Sequence, residues 1–282
     1  MRRLLLLSVM ILGTVGNVWA DATPFMPPEN QPIYIQFNNL EQVSGANNIV
    51  VPGGYNGANT QGNWGVVNIS SIQLGFPSIP HIDIAGGPVI FSDDGPGKTQ
   101  GQITGIFYGI NLTSGTTATG GVLDLYWHAP GSDPVTAACL AGVTCSPNAA
   151  TVTEFTSGTF LARLFFAPGI IPGDATTTIS STTDPTISGS GEADSFANVD
   201  LSTPGLWTNL LNGDWFFTDQ GTRDVRFSNF FNGLPSWNGA TGVRGLRSND
   251  PARVFTTPEP GTLTLLGIGL FGVGLALRRK GR

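Results

Sequence analysis

Between Asp21 and Phe255 apolar residues return mostly at every second position, in short runs cut by Gly, Pro, Asn, Asp and Ser. This alternation puts one set of side chains on each face of an extended strand and leaves little stripe for a long helix. The clearest runs are Ile33–Phe37, Val66–Ile69, Ile72–Leu74, Val89–Phe91, Ile103–Leu112, Val122–Trp127, Phe160–Phe166, Trp215–Phe217 and Val225–Phe227. In Val122–Trp127 one face carries Val122, Asp124 and Tyr126; the other carries Leu123, Leu125 and Trp127 and belongs to a core. Backbone chemistry agrees: 39 Gly and 20 Pro stand in 282 residues, about a fifth of the chain against a usual ~12%. The pattern predicts an all-β fold, an antiparallel β-sandwich or jelly-roll-like domain over residues 21–255. Gly173–Ser195, with its Ser and Thr runs, reads either as a linker or as two polar edge strands. A short helix is predicted over Trp207–Leu211, with Ser202-Thr203-Pro204 supplying its cap and first proline.

The two ends have a different character. Residues 1–20 open with Arg2 and Arg3, continue through the apolar run Leu4–Leu12 and finish Val18-Trp19-Ala20. That is the layout of a secretory signal peptide, with a mature chain beginning near Asp21 after signal peptidase. At the far end, residues 261–277 carry no charge; as a helix they extend roughly 25 Å, close to the ~30 Å hydrocarbon core of a bilayer. Arg278, Arg279, Lys280 and Arg282 follow and favour the cytoplasmic side. A single membrane-spanning helix over 261–277 is predicted, with the body of the chain outside the inner membrane.

Pro258-Glu259-Pro260 stands directly before that segment, and its prolines disfavour helix there. The combination Thr257-Pro258-Glu259-Pro260-Gly261, a Gly-rich apolar stretch and the basic cluster Arg278, Arg279 and Lys280 resembles the PEP-CTERM sorting signal of Gram-negative bacteria. The resemblance covers residues 256–282. It implies recognition by an exosortase, a membrane cysteine protease, with transient residence in the inner membrane before release or re-attachment at the cell surface. Gly267, Gly269 and Gly272 spell G-x-G-x-x-G, but the chain ends too soon for a dinucleotide fold. Gly272 and Ala276 instead form a small-residue face suited to helix packing.

Export puts Cys139 and Cys145 in an oxidising compartment and predicts a disulfide between them. Closing so short a loop contributes about 2 kcal/mol in the chain-entropy picture. Other chemistry has little raw material. Charged residues are 11% of the chain, and it holds two His. His81 and His128 have no G-x-S-x-G partner motif. Asp124, Glu154, Glu192 and Asp194 are the acids from which a glycosidase pair would be drawn. Ser92–Gly97, Gly191–Asp194 and Asn198–Asp200 offer carboxylates for Ca²⁺ without a complete loop motif. Residues 21–222 hold 16 acidic side chains against Lys98 and Arg163, whereas residues 223–253 hold five Arg against Asp224 and Asp250. The acidic part repels nucleic acid and anionic polysaccharide, which disfavours a polynucleotide partner. The basic part interleaves Arg223, Arg226, Arg244 and Arg247 with Phe227, Phe230, Phe231 and Trp237, which suits either an acidic glycan or pairing with the domain's own acids. Asn68 and Asn111 begin acceptor-type glycosylation sequons.

The scarcity of catalytic side chains argues for a protein without catalytic activity, cofactor or metal, and the resemblance implies an exported surface or extracellular-matrix protein acting in exopolysaccharide-associated cohesion of a biofilm or floc. The stretches Gly105–Tyr108 and Gly189–Glu192 resemble those of flocculation-associated PEP-CTERM proteins. The alternatives are a secreted carbohydrate-active enzyme or a glycan-binding module.

Overall fold

The computed structural model describes residues 23–29, 31–78, 82–84, 87–93, 99–132 and 134–255. Eight strands carry the architecture: β1 (Pro32–Val43), β2 (Asn63–Leu74), β3 (Gln102–Leu112), β4 (Thr117–His128), β5 (Thr159–Ala167), β6 (Ser190–Val199), β7 (Val225–Gly233) and β8 (Arg244–Phe255). Each pairs antiparallel with the next along the chain. β1 also pairs with β8, from Pro32↔Phe255 to Val43↔Arg244, while its other edge pairs with β2 from Ile33↔Leu74 to Val43↔Asn63. The sheet therefore closes into an up-and-down barrel, which satisfies the backbone groups that an open sheet leaves at its edges.

The all-β expectation holds, but one closed sheet stands where a two-sheet sandwich or jelly roll was expected. Alternation dictates which side chains share a face; it does not dictate whether the last strand finds the first. Gly173–Ser195 is not a linker. Its last residues, Ser190–Ser195, lie in β6, and Ile179–Ser181 pairs with both β6 and β4, continuing the lane of the shorter β5.

Glycines with positive φ re-phase two neighbouring strands. Gly109 in β3 has φ of 72°, and Gly120 and Gly121 in β4 have φ of 70° and 110°. Side-chain-bearing residues rarely adopt these angles, so glycine permits the bulged, strongly bent backbone that a small barrel requires at this point. Before the bulge Ile103 and Phe107 face inward; after it Ile110 does, three positions on.

Both sides of the wall are covered in part. Inside, Ile35, Ile69, Leu125, Leu164 and Phe227 belong to the lumen core. One end is plugged by Phe25, whose ring lies 5.1 Å from Phe91 and 6.4 Å from Trp207. The Trp207 indole donates to the Phe25 carbonyl at 2.9 Å. Toward the other end Val43, Phe231 and Leu246 cluster. Outside, Leu40, Trp64, Val66, Ile106 and Tyr108 form a second core beneath the chain excursions that follow β1, β4 and β7. Consequently both faces of Val122–Trp127 are packed, not only the one carrying leucine.

Two helices close this outer core: α1 (Ala137–Leu140) and α2 (Ala149–Thr156). Asn148 caps α2 by accepting from the Thr151 amide, and Val152 and Phe155 turn inward. Cys139 and Cys145 form a disulfide with Cα atoms 4.6 Å apart, both buried in the outer core. The Trp237 indole donates to the Cys145 carbonyl at 3.1 Å, and its ring lies 5.9 Å from Trp64. The later helix α3 (Thr208–Leu211) sits where expected, but Ser202 and Thr203 do not cap it. Their hydroxyls donate to Asp200 at 2.6 and 2.7 Å. Asp174 and Asp184 gather the Thr that follow them in the same way, so much of the Ser and Thr content closes tight turns.

No helix among the described residues is long and apolar enough to cross a membrane. The signal segment 1–20 and the membrane segment 261–277 lie outside the described residues.

Candidate functional site

Alternation along β1 puts Asn39 and Glu41 on the same inward face as Ile35 and Phe37. They share the lumen with residues of all the other strands around a cavity of about 140 Å³. Its walls are chiefly aliphatic and aromatic. Phe227 meets Phe37 and Phe166 edge-on at 6.2 and 5.6 Å between centroids. Its polar end is built around Glu41. Asn63 Nδ2 donates to Glu41 Oε2 at 2.8 Å, and Ser248 Oγ donates to Oε1 at 3.2 Å. Asn229 Nδ2 in turn reaches Ser248 Oγ at 3.2 Å. Burial pushes the Glu41 carboxyl above its ordinary pKa, and bonds from Asn63, Ser248 and Asn39 offset this only in part. No Lys, Arg or His lines the cavity among the described residues. Two acceptors remain: Asn39 Oδ1 and Asn63 Oδ1 are both buried and have no hydrogen-bond partner.

A second polar cluster lies on the outer face of the wall. Asp124 is 0% exposed and takes a two-pronged contact from Arg163, Nε to Oδ1 at 2.7 Å and Nη2 to Oδ2 at 2.8 Å. Tyr55 and Tyr108 also donate to Oδ2, at 2.8 and 3.2 Å, and Tyr55 bonds the Tyr126 hydroxyl. Burial first, then the adjacent Asp124 charge, push the Tyr108 phenol upward; Tyr55 is raised by burial and its bond to Tyr126. The Asp124 bonds raise Arg163, so its guanidinium keeps its charge through the ordinary pH range. It also ties the loop carrying Tyr55 to β4 and β5. Asp124 thus has both oxygens engaged in holding the wall.

The remaining acids are dispersed. Glu154 is exposed on α2, while Glu192 and Asp194 stand on the outer wall of β6. His128 is a buried strand-end residue whose Nε2 lies 2.8 Å from Thr104 Oγ1. His81 and residues 94–97 of the acidic glycine loop lie outside the described residues. Asp93 Oδ2 accepts from Asn68 and Gln102 at 2.8 and 3.0 Å. Those contacts bury Asn68 within its sequon.

The basic stretch divides. Arg223 donates to the carbonyls of Pro168, Gln220 and Thr222, so it braces a turn and does not pair with an acid there. Arg226 lies over the Phe196 ring at 5.9 Å. Trp237, Phe227 and Phe231 are core residues, whereas Phe217 is 70% and Phe230 53% exposed. Sequence reasoning did not single out Asn39, Glu41 or Asn63. The available signal was their phase, polar residues at positions that the alternation assigns to the interior.

Pro258, Glu259, Pro260, Arg278, Arg279 and Lys280 lie outside the described residues. No curated protein shows significant similarity to the chain. Residues 256–280 match the PEP-CTERM protein-sorting motif, directly after β8 ends at Phe255. The motif marks the chain as an exported protein, processed by exosortase on a cell-surface or membrane-associated route.

Proposed function

We propose that this protein is a non-catalytic surface or matrix component of a Gram-negative bacterium that holds exopolysaccharide in a biofilm or floc. On this reading residues 1–20 direct export and are removed. Residues 261–277 cross the inner membrane until exosortase acts near Pro258-Glu259-Pro260. The position of the motif supports this order, because β8 is paired on both sides before the matched residues begin. Cleavage there leaves every barrel strand in place.

The observation that carries the cohesive role is the outer wall of β5 to β7. Phe165 and Phe230 are exposed there, as is Phe217 on the adjoining hairpin Phe216–Arg223; Arg226 stands over Phe196 in the same region. Exposed rings offer flat apolar faces to sugar, and a guanidinium beside them offers donors to acidic or hydroxyl oxygens. The predominantly acidic body disfavours nucleic acid as partner.

Co-sedimentation with exopolysaccharide purified from the producing cells tests the reading. The protein is expected to pellet with the polymer, and Phe217→Ala with Phe230→Ala is expected to release it without changing the far-UV circular dichroism. Glycan turnover abolished by Glu192→Gln or Asp194→Asn would establish the enzymatic alternative instead. Capture of soluble oligosaccharides without retention by the polymer would favour a binding module.

A further inference from the structure

The lumen presents a chemical demand that the protein's own groups leave open. Asn39 is only 4% exposed, yet its Oδ1 has no partner, and Asn63 Oδ1 beside it is in the same state. Their side chains both reach toward Glu41, which turns the two carbonyl oxygens and one carboxyl into an acceptor-rich end. Buried acceptors without donors are costly, and proteins normally supply partners for them. Beyond this end the cavity is apolar and boxed by Phe37, Phe107, Phe166 and Phe227. Its volume of about 140 Å³ is close to that of an engineered apolar cavity of about 150 Å³ that takes up benzene. It also extends toward the rim formed by Ser114–Thr117 and Ser181, which provides a way in.

We infer that the barrel lumen is a binding site for a small aromatic molecule carrying a hydrogen-bond donor, an amine or a hydroxyl, with its ring among the phenylalanines and its head at Asn39, Glu41 and Asn63. Water alone satisfies the amides but leaves the apolar part of the cavity without contacts. An anionic head meets no Lys, Arg or His among the described lining residues, so carboxylates are selected against. The ring fits because aromatic walls pair edge-on with another ring. This site is independent of the polysaccharide reading, since it uses the inner face of the wall and not the outer one.

The test is NMR titration of the protein, purified from its exporting host, with benzylamine, benzyl alcohol, toluene and benzoate. One or both donor-bearing compounds are expected to saturate, with intermolecular NOEs to the methyls of Val67 and Leu125. Affinity should exceed that of toluene and benzoate by about tenfold, the scale of one buried hydrogen bond to a charged or well-placed acceptor. Asn39→Leu should bring the preferred compound down to the level of toluene. Should that variant fail to fold, Glu41→Gln serves: measured at a pH above the raised Glu41 pKa, it should weaken benzylamine about tenfold while retaining benzyl alcohol. Tighter wild-type binding of benzylamine identifies a cationic head, and of benzyl alcohol a neutral one. Equal binding of benzoate, saturation without lumen NOEs, or no saturable binding by any of the four would overturn the inference.

Discussion

Glu41 is the residue whose position asks most of the fold. A carboxyl within an apolar barrel favours its neutral form, because burial penalises the anion more than Asn63, Ser248 and Asn39 relieve it. Its folded-state pKa therefore stands above the ordinary glutamate value of 4.5. The stability it lends is full below pH 4.5 and is lost as pH rises through the raised value. Glu41→Gln should remove this dependence, so the variant gains stability relative to the wild type as pH rises toward neutrality. Urea denaturation across that window reads the difference; parallel wild-type and variant curves would contradict it. Asp124 is also buried, but both its oxygens are in contact with the Arg163 guanidinium. Asp124→Ala should cost about 3–5 kcal/mol, because it strands Arg163 and two phenols together, and chemical denaturation measures the loss. A change within the small range typical of surface sites would mean that the cluster is ornamental to folding.

At the scale of elements, legibility followed the physics of each segment. Period-two runs such as Ile33–Phe37 and Val122–Trp127 are strands because alternation needs only local sequence. The bulge at Gly109, Gly120 and Gly121 was hidden, because a glycine in a strand does not reveal that the phase slips there. Ala149–Thr156 was hidden for another reason: Thr151, Val152, Thr153 and Thr156 are β-branched and disfavour helix. That helix is held by the Asn148 cap and by packing of Val152 and Phe155, a tertiary contribution absent from propensity. The cysteine pair was legible from number, spacing and compartment, but its place against Trp237 in the outer core was not. Reduction of Cys139–Cys145, or Cys139→Ser with Cys145→Ser, should lower stability by about 2 kcal/mol with the barrel retained. Differential scanning calorimetry with and without reductant measures this. Loss of the cooperative transition would show that the disulfide holds more than its own loop.

On the scale of the whole molecule, closure and address are separate properties of one chain. Closure depends on β1 and β8, residues some two hundred positions apart, and such a pairing leaves no local signature. The sandwich expectation failed there, although Leu123, Leu125 and Trp127 do share a core-facing side of their strand. The lumen site shares that origin in part: Asn63 joins Asn39 and Glu41 through the neighbouring strand β2, but Ser248 reaches Glu41 only once β8 closes on β1. The sorting motif, by contrast, was readable from Pro258-Glu259-Pro260, the uncharged stretch and the terminal cations, and residues 256–280 match it, because a sorting signal must be recognised before or apart from the fold. Intact mass spectrometry of the protein recovered from its native host tests this division most directly. The account predicts a mature species that begins near Asp21, ends near Pro260 and retains the Cys139–Cys145 bond. A native product that still carries both Met1 and Arg282 would contradict it.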